Sequence, residues 1–150
     1  MFGVGRKAKR SLRTSERWIN DEHLRAIVSI YAQEVARYAW DSLVGYCMVQ
    51  DSRILTDERL TLSMAPVEHT IRTEPARRVL LTYTNWRRSL RSAGYRPWDV
   101  VVLGMDAVSG AVTVRYLDAG DASAFRAEKD PEKLLDLAAH VLDESAHIPA

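Results

Sequence analysis

The residues of this chain with the types and spacing for chemistry are Asp136, His140, Asp143, Glu144 and His147. Steps of 4, 4 and 3 put Asp136, His140, Glu144 and His147 on one helical face, an arrangement with which imidazoles and carboxylates can hold a divalent cation. His147 is two residues from Pro149, where a helix frays, and no cysteine or further ligand is placed beside the stripe. The stripe therefore reads as a solvated helix face, and neither a metal nor another cofactor is expected. None of the four histidines, His23, His69, His140 and His147, has a Ser, Cys or Lys beside it in a nucleophile motif. His69, between Glu68 and Thr70, reads as a strand surface residue. Gly3 and Gly5 lie in a basic segment with no preceding strand and no following GK[ST], so no phosphate loop is present. Cys47 sits in an apolar run and reads as a buried, inert thiol. Without a convergent acid, base and nucleophile, the expectation is a protein that binds rather than catalyses.

Charge is the second resource. The net charge of +1 conceals a division along the chain. Arg6, Lys7, Lys9, Arg10, Arg13 and Arg17 face only Glu16, and nothing before Trp18 has a periodic apolar face. Residues 1–19 thus read as a mobile basic arm on a single domain spanning 20–145. Arg77, Arg78, Arg87, Arg88 and Arg91 cover the outer face of a helix, where solvation is the default. In the C-terminal third, Asp118, Asp121, Glu128, Asp130, Glu132, Asp136, Asp143 and Glu144 outnumber Arg126, Lys129 and Lys133. The connection from Asp118 to Asp130 is small, acidic and carries one large apolar residue, Phe125. Asp118, Asp121, Phe125 and Glu128 are accordingly candidate partner contacts. Tyr95 and Arg96, in an exposed helix break, are two more, whereas Trp86 and Trp98 are assigned to packing.

The elements that must position these residues are legible from period and punctuation. Asn20 can cap a helix with Asp21 and Glu22 in its first turn and Leu24, Ile27, Ile30 or Tyr31, Val35 and Tyr38 inward. Leu43 to Val49 is an apolar strand, Asp51 to Glu58 a polar connection, and Leu60, Leu62 and Met64 the inward side of a half-buried strand. Val67 to Arg72 is a weaker strand, placed at an edge by Pro66. Thr73-Glu74-Pro75 opens a helix whose Val79, Tyr83, Trp86 and Leu90 form one stripe, ended by Gly94 and barred from resuming by Pro97. Trp98 to Met105 is apolar at almost every position, as a central strand covered on both faces would be. Asp106 to Gly110 is a turn, and Val112, Val114 and Tyr116 alternate with Thr113 and Arg115 in the next strand. Asp130-Pro131 opens a last helix with Leu134, Leu135, Ala138, Val141 and Leu142 inward. The order, α-β-β-β-α-β-β-α, predicts an α+β fold with a mainly antiparallel sheet of about five strands and helices packed on it.

Composition agrees, with 47% hydrophobic and 27% charged residues in 150. One cysteine permits no intrachain disulfide, and no apolar run approaches the ~20 residues of a membrane span. The basic N-terminus lacks the apolar stretch of a signal peptide, so a cytoplasmic location without membrane association is expected.

The unit formed by Leu90, Arg91, Gly94, Pro97, Trp98, Val100 to Leu103, Asp106, Gly110, Val112, Val114 and Tyr116 resembles the YezG-like immunity proteins of bacterial polymorphic toxin systems. The helix around Ile30 and Tyr31, then Trp40 and a strand, extends the same order of elements to roughly residues 22–142. The family's strongly acidic hairpin end is replaced here by the milder Leu117-Asp118-Ala119-Gly120-Asp121. The resemblance implies a non-catalytic immunity protein whose partner is a cognate protein toxin of nuclease type. The alternatives are a nucleic-acid-associated module using the basic arm and the arginine-rich helix, or a secretion chaperone or accessory protein.

Overall fold

The computed structural model describes residues 22–117 and 120–146, the last three without their side chains. The expected N-terminal arm, the Asn20 cap and the candidates Asp118 and His147 lie outside the described residues. The fold is α+β in the predicted order: α1 (Glu22–Val35), β1 (Ser42–Gln50), β2 (Arg53–Leu62), β3 (Ala65–Val67), α2 (Thr73–Ser92), β4 (Val100–Asp106), β5 (Val112–Leu117), a short α3 (Ser123–Ala127) and α4 (Pro131–Ala146). The strands form one antiparallel sheet in the order β3-β2-β1-β4-β5. The chain divides into two compact units interleaved in sequence, a helical one from residues 22–38 and 70–98 and a sheet-bearing one from 39–69 and 99–146.

In the helical unit, α1 buries Leu24, Ile27, Val35 and both Ile30 and Tyr31, while Tyr38 lies beyond the helix and its hydroxyl accepts from the Thr70 N–H at 3.0 Å. The stripe of α2 is buried as its spacing requires, at Val79, Tyr83, Trp86 and Leu90. Its rings close on Trp98, with Trp86 at 5.8 Å and Tyr83 at 5.9 Å between centroids, both edge to face. Gly94 ends the helix at φ 88, where its own N–H reaches Arg91 O and the Tyr95 N–H reaches back to Leu90 O at 2.9 Å. That paired closure needs the left-handed conformation a glycine takes without steric cost. Arg87 departs from the expected solvated face. Its Nε donates to Trp98 O at 2.9 Å and its guanidinium lies 5.6 Å from the Trp98 ring centroid, so it serves the carbonyl and ring of a buried residue.

In the sheet unit, β1 is the middle strand, and the apolar run of β4 lies between it and β5. Val100, Val101, Val102 and Leu103 are fully buried, as their unbroken apolar pattern predicts. Residues 51–58, expected as a polar connection, are instead a two-residue turn and most of β2. Asp51 and Ser52 both take positive φ, 48 and 67, which matches the right-handed twist of the hairpin, and Gln50 then pairs with Arg53. The polar residues of β2 obscure its alternation because each has a partner in the fold: Asp57 stands opposite Tyr46, Glu58 meets His69 and Arg59 meets α4. The next turn repeats the device at Ser63 and Met64, with φ 51 and 69, so Met64 is 94% exposed at a hairpin tip rather than inside a strand. Of the strand expected over 67–72 only Val67 is extended in the sheet, at the end of the edge strand Ala65–Val67, and residues 68–72 form no strand because their polar groups turn to side-chain partners such as Glu58 and Glu34 instead of a ladder.

The start of α4 is set by Asp130, whose Oδ1 accepts from the Glu132 N–H at 2.9 Å, and by Pro131 in the first helical position. Leu134, Leu135 and Ala138 then pack with Tyr46, Met48, Val100 and Val102 of the sheet, with Val141 and Leu142 continuing the contact. The unexpected α3 adds Phe125 to this core at 1% exposure, with its ring 6.5 Å from that of Tyr46.

Candidate functional site

Beyond the last turns of α4 the sheet carries an open groove of about 500 Å³. Its floor is one face of four strands, since Ser42 and Val44 on β1 stand opposite Thr61 and Arg59 on β2 and opposite Asp106 and Gly104 on β4, with Thr113 beyond on β5. Ala139, Leu142 and Asp143 of α4 form the wall. A Cβ on Gly104 would lie 2.9 Å from Leu142 Cδ1, so the missing side chain is what lets α4 approach β4 this closely. The Ser42 and Thr61 hydroxyls satisfy one another across β1 and β2.

Arg59 fixes the helix above this floor. Its Nη1 is 2.9 Å from Asp136 Oδ1, and its Nη2 donates to Glu132 Oε2 at 3.0 Å and to Glu132 O at 3.1 Å. Asp136, the first carboxylate of the Asp136–His140 stripe, is thus an ion-pair partner of β2. Among the described residues no group of three or more His, Cys, Asp or Glu side chains is placed to hold a metal ion. Asp106 accepts the N–H of Val108 at 2.9 Å and shapes the β4–β5 turn, while Asp143 stands exposed at the wall with no ion-pair partner among the described residues.

A second polar cluster lies where the chain leaves β3. His69 is partly buried, not a free strand surface: its Nε2 is 2.7 Å from Glu58 Oε2 and its Nδ1 3.1 Å from Val67 O. Burial raises the Glu58 carboxyl, with the imidazole opposing, and burial likewise raises Asp57 one residue earlier. On the α4 side, Tyr46 is pushed up to about 12 by burial and by the charges of Asp57 and Glu58.

The charge pattern follows the two units and not simply the thirds of the sequence. The described residues of the sheet unit carry fourteen Asp and Glu against six Lys and Arg, whereas those of the helical unit carry nine arginines against three Glu. Seven of the sheet unit's carboxylates lie outside the acidic C-terminal stretch: Asp41, Asp51, Asp57, Glu58 and Glu68 come from residues 39–69, before α2, and Asp99 and Asp106 flank and close the strand after it.

The residues singled out by sequence divide between the units. Asp121 is exposed in the turn before α3. Glu128 is half-buried, and its Oε2 accepts from the Lys129 and Asp130 N–H groups at 3.1 Å each, so it shapes the entry to α4. Phe125 is a core residue, so a partner has no anchor there; its apolar type in an acidic loop reflected the short helix that buries it. Tyr95, partly buried, and Arg96, exposed, belong to the helical unit. Sequence reasoning missed Arg59, Ser42, Thr61 and Gly104. Their only local signals were the charged triplet Asp57-Glu58-Arg59 inside a strand-length segment and the glycine inside the apolar run of β4.

Compared with known proteins, the chain matches no family model, and no characterised sequence matches it. No helix among the described residues is long and apolar enough to cross a membrane.

Proposed function

We propose that this chain is a non-catalytic immunity protein of the YezG-like kind, which binds a cognate bacterial toxin of nuclease type in the cytoplasm and neutralises it. The observation that carries the reading is the concentration of carboxylates on the sheet unit. A nuclease presents a basic surface to the phosphates of its substrate. A protein surface with an excess of carboxylates occupies those positions, and its field raises the encounter rate by a factor of about 10–1,000 at low salt. The groove suits a basic side chain, with Val44, Gly104 and Leu142 for an aliphatic stem and Asp143 for its charged end. The β4–β5 hairpin that follows Pro97-Trp98, with its Asp106 turn, is the part of the fold on which the family resemblance rests.

The test is capture of the partner with a tagged copy, including a nuclease-treated control, followed by assay of the purified partner's nuclease activity with and without this protein. A stoichiometric protein partner whose nuclease activity is abolished on binding is the expected result. Asp121→Lys with Asp143→Lys, checked for an unchanged circular-dichroism spectrum, should weaken that complex at least tenfold and reduce its salt dependence. A partner that keeps full activity in the complex, or a complex indifferent to both reversals, would remove the proposal.

A further inference from the structure

We propose that the outer face of α2 is a docking surface for the phosphate backbone of a nucleic acid. Residues 77, 81, 84, 88 and 91 recur at steps of 4, 3, 4 and 3, which aligns them on the side of the helix opposite the buried Val79, Tyr83, Trp86 and Leu90. The stripe reads Arg77, Leu81, Thr84, Arg88, Arg91, with Arg78 on its flank. All four arginines are exposed. At 1.5 Å per residue the stripe is about 21 Å long, the length of about six base pairs at 3.4 Å each.

Three features favour a phosphate backbone. The first is residue type: every cation among the described residues of the helical unit is an arginine, whose planar fork matches phosphate oxygens two at a time. The second is pairing. Arg37, Arg59, Arg72 and Arg126 are each held by a carboxylate at 2.6–3.3 Å, whereas Arg78, Arg88 and Arg91 have no carboxylate partner among the described residues and Arg77 has only Glu74 at 3.8 Å. The third is the lack of an aromatic anchor. A protein partner is gripped chiefly through large aromatic and arginine side chains desolvated in pockets, but this stripe presents no aromatic, its one large apolar side chain being Leu81 at 52% exposure, and the hydroxyls of Thr82 and Thr84 turn inward to Arg78 O and Leu80 O. Arginines in a row without an aromatic anchor or base-reading groups suit sequence-independent contact with phosphates. The field of the stripe acts locally, because charges more than about 8–10 Å away are screened at physiological salt.

This inference does not rest on the immunity reading, and its experiment needs no toxin. The purified full chain is titrated by fluorescence anisotropy with a labelled 20-base-pair duplex of mixed sequence between 50 and 200 mM NaCl, and again with polyglutamate as competitor. The expected result is micromolar binding that weakens steeply with salt. Arg77→Gln, Arg88→Gln and Arg91→Gln together should weaken binding at least tenfold and flatten the slope of log Kd against log salt by about 3. The same three positions changed to Lys should keep most of the slope. An unchanged slope in the Gln variant would overturn the proposal and transfer the binding to the basic segment Arg6 to Arg17. Displacement of the duplex by polyglutamate at equal charge concentration would overturn it in favour of an acidic protein partner, and absence of binding at 50 mM salt would overturn it outright.

Discussion

Removing Arg72 tests whether the one fully buried charge in the described core depends on a partner from a distant part of the chain. Glu34 is 2% exposed, and its carboxylate accepts from Arg72 Nη2 at 2.6 Å, from Arg72 Nε at 3.2 Å, from the Arg72 N–H at 3.1 Å and from Arg37 Nη2 at 3.3 Å. The Arg72 hydrogen bonds outweigh burial and hold the carboxyl at about 2, below its ordinary 4.5. A depression of that size is worth at most ~3 kcal/mol by linkage. Arg72 itself is 66% exposed, so water competes for it and about 1–2 kcal/mol is the expected contribution. Arg72→Ala should therefore lower the melting temperature by about 3–6 °C in a chain of this size. Because the folded carboxyl lies below its unfolded value, the contribution is complete above about pH 5, falls as the pH drops below 4.5 and is gone below about 2. Urea denaturation of wild type, Arg72→Ala, Glu34→Gln and the double variant at pH 7 and pH 3 measures both the coupling and its pH dependence. A coupling within about 0.3 kcal/mol of zero at pH 7, or one equally large at pH 3, would refute the reasoning.

At Gly104, Ala should cost within about 1 kcal/mol, because the clashing Leu142 Cδ1 is the end of a side chain that can rotate. The branched Val should cost about 2–3 kcal/mol, part of it recovered by Leu142→Ala in the same chain; equal costs for Ala and Val in urea denaturation would disprove the close approach. Tyr46 should remain protonated until about pH 12, so its phenolate absorbance should appear well after that of exposed tyrosines. Its raised value makes a contribution to stability that is complete below pH 10 and lost as the pH rises toward 12, and Tyr46→Phe should remove that alkaline dependence.

Local period and punctuation determined much of this protein without any structure. The stripe from Val79 to Leu90, the Gly94 stop, the Asp130-Pro131 start and the Asp106 to Gly110 turn all depend on interactions within a few residues, and the sequence pattern records them directly. The α+β class and the order of elements followed from those signals. Only the tertiary structure decided which polar residues are internal. Asp57, Glu58 and Arg59 hide β2 from a reading by alternation because their partners are Tyr46, His69 and Asp136, which lie 11 to 77 residues away in the chain. Glu34 reads as a solvated helix residue until Arg72 arrives beside it, Phe125 reads as a loop anchor until α3 turns it inward, and Arg87 reads as a surface charge until the Trp98 carbonyl meets it. The acidic C-terminal stretch was visible in the sequence, but only the fold joins it with the acidic residues of 39–69 in one unit. The physical reason is common to all of these: periodicity reports which side of an element leaves water, whereas the partner of a buried or half-buried charge is chosen by long-range chain return, which a local pattern does not encode.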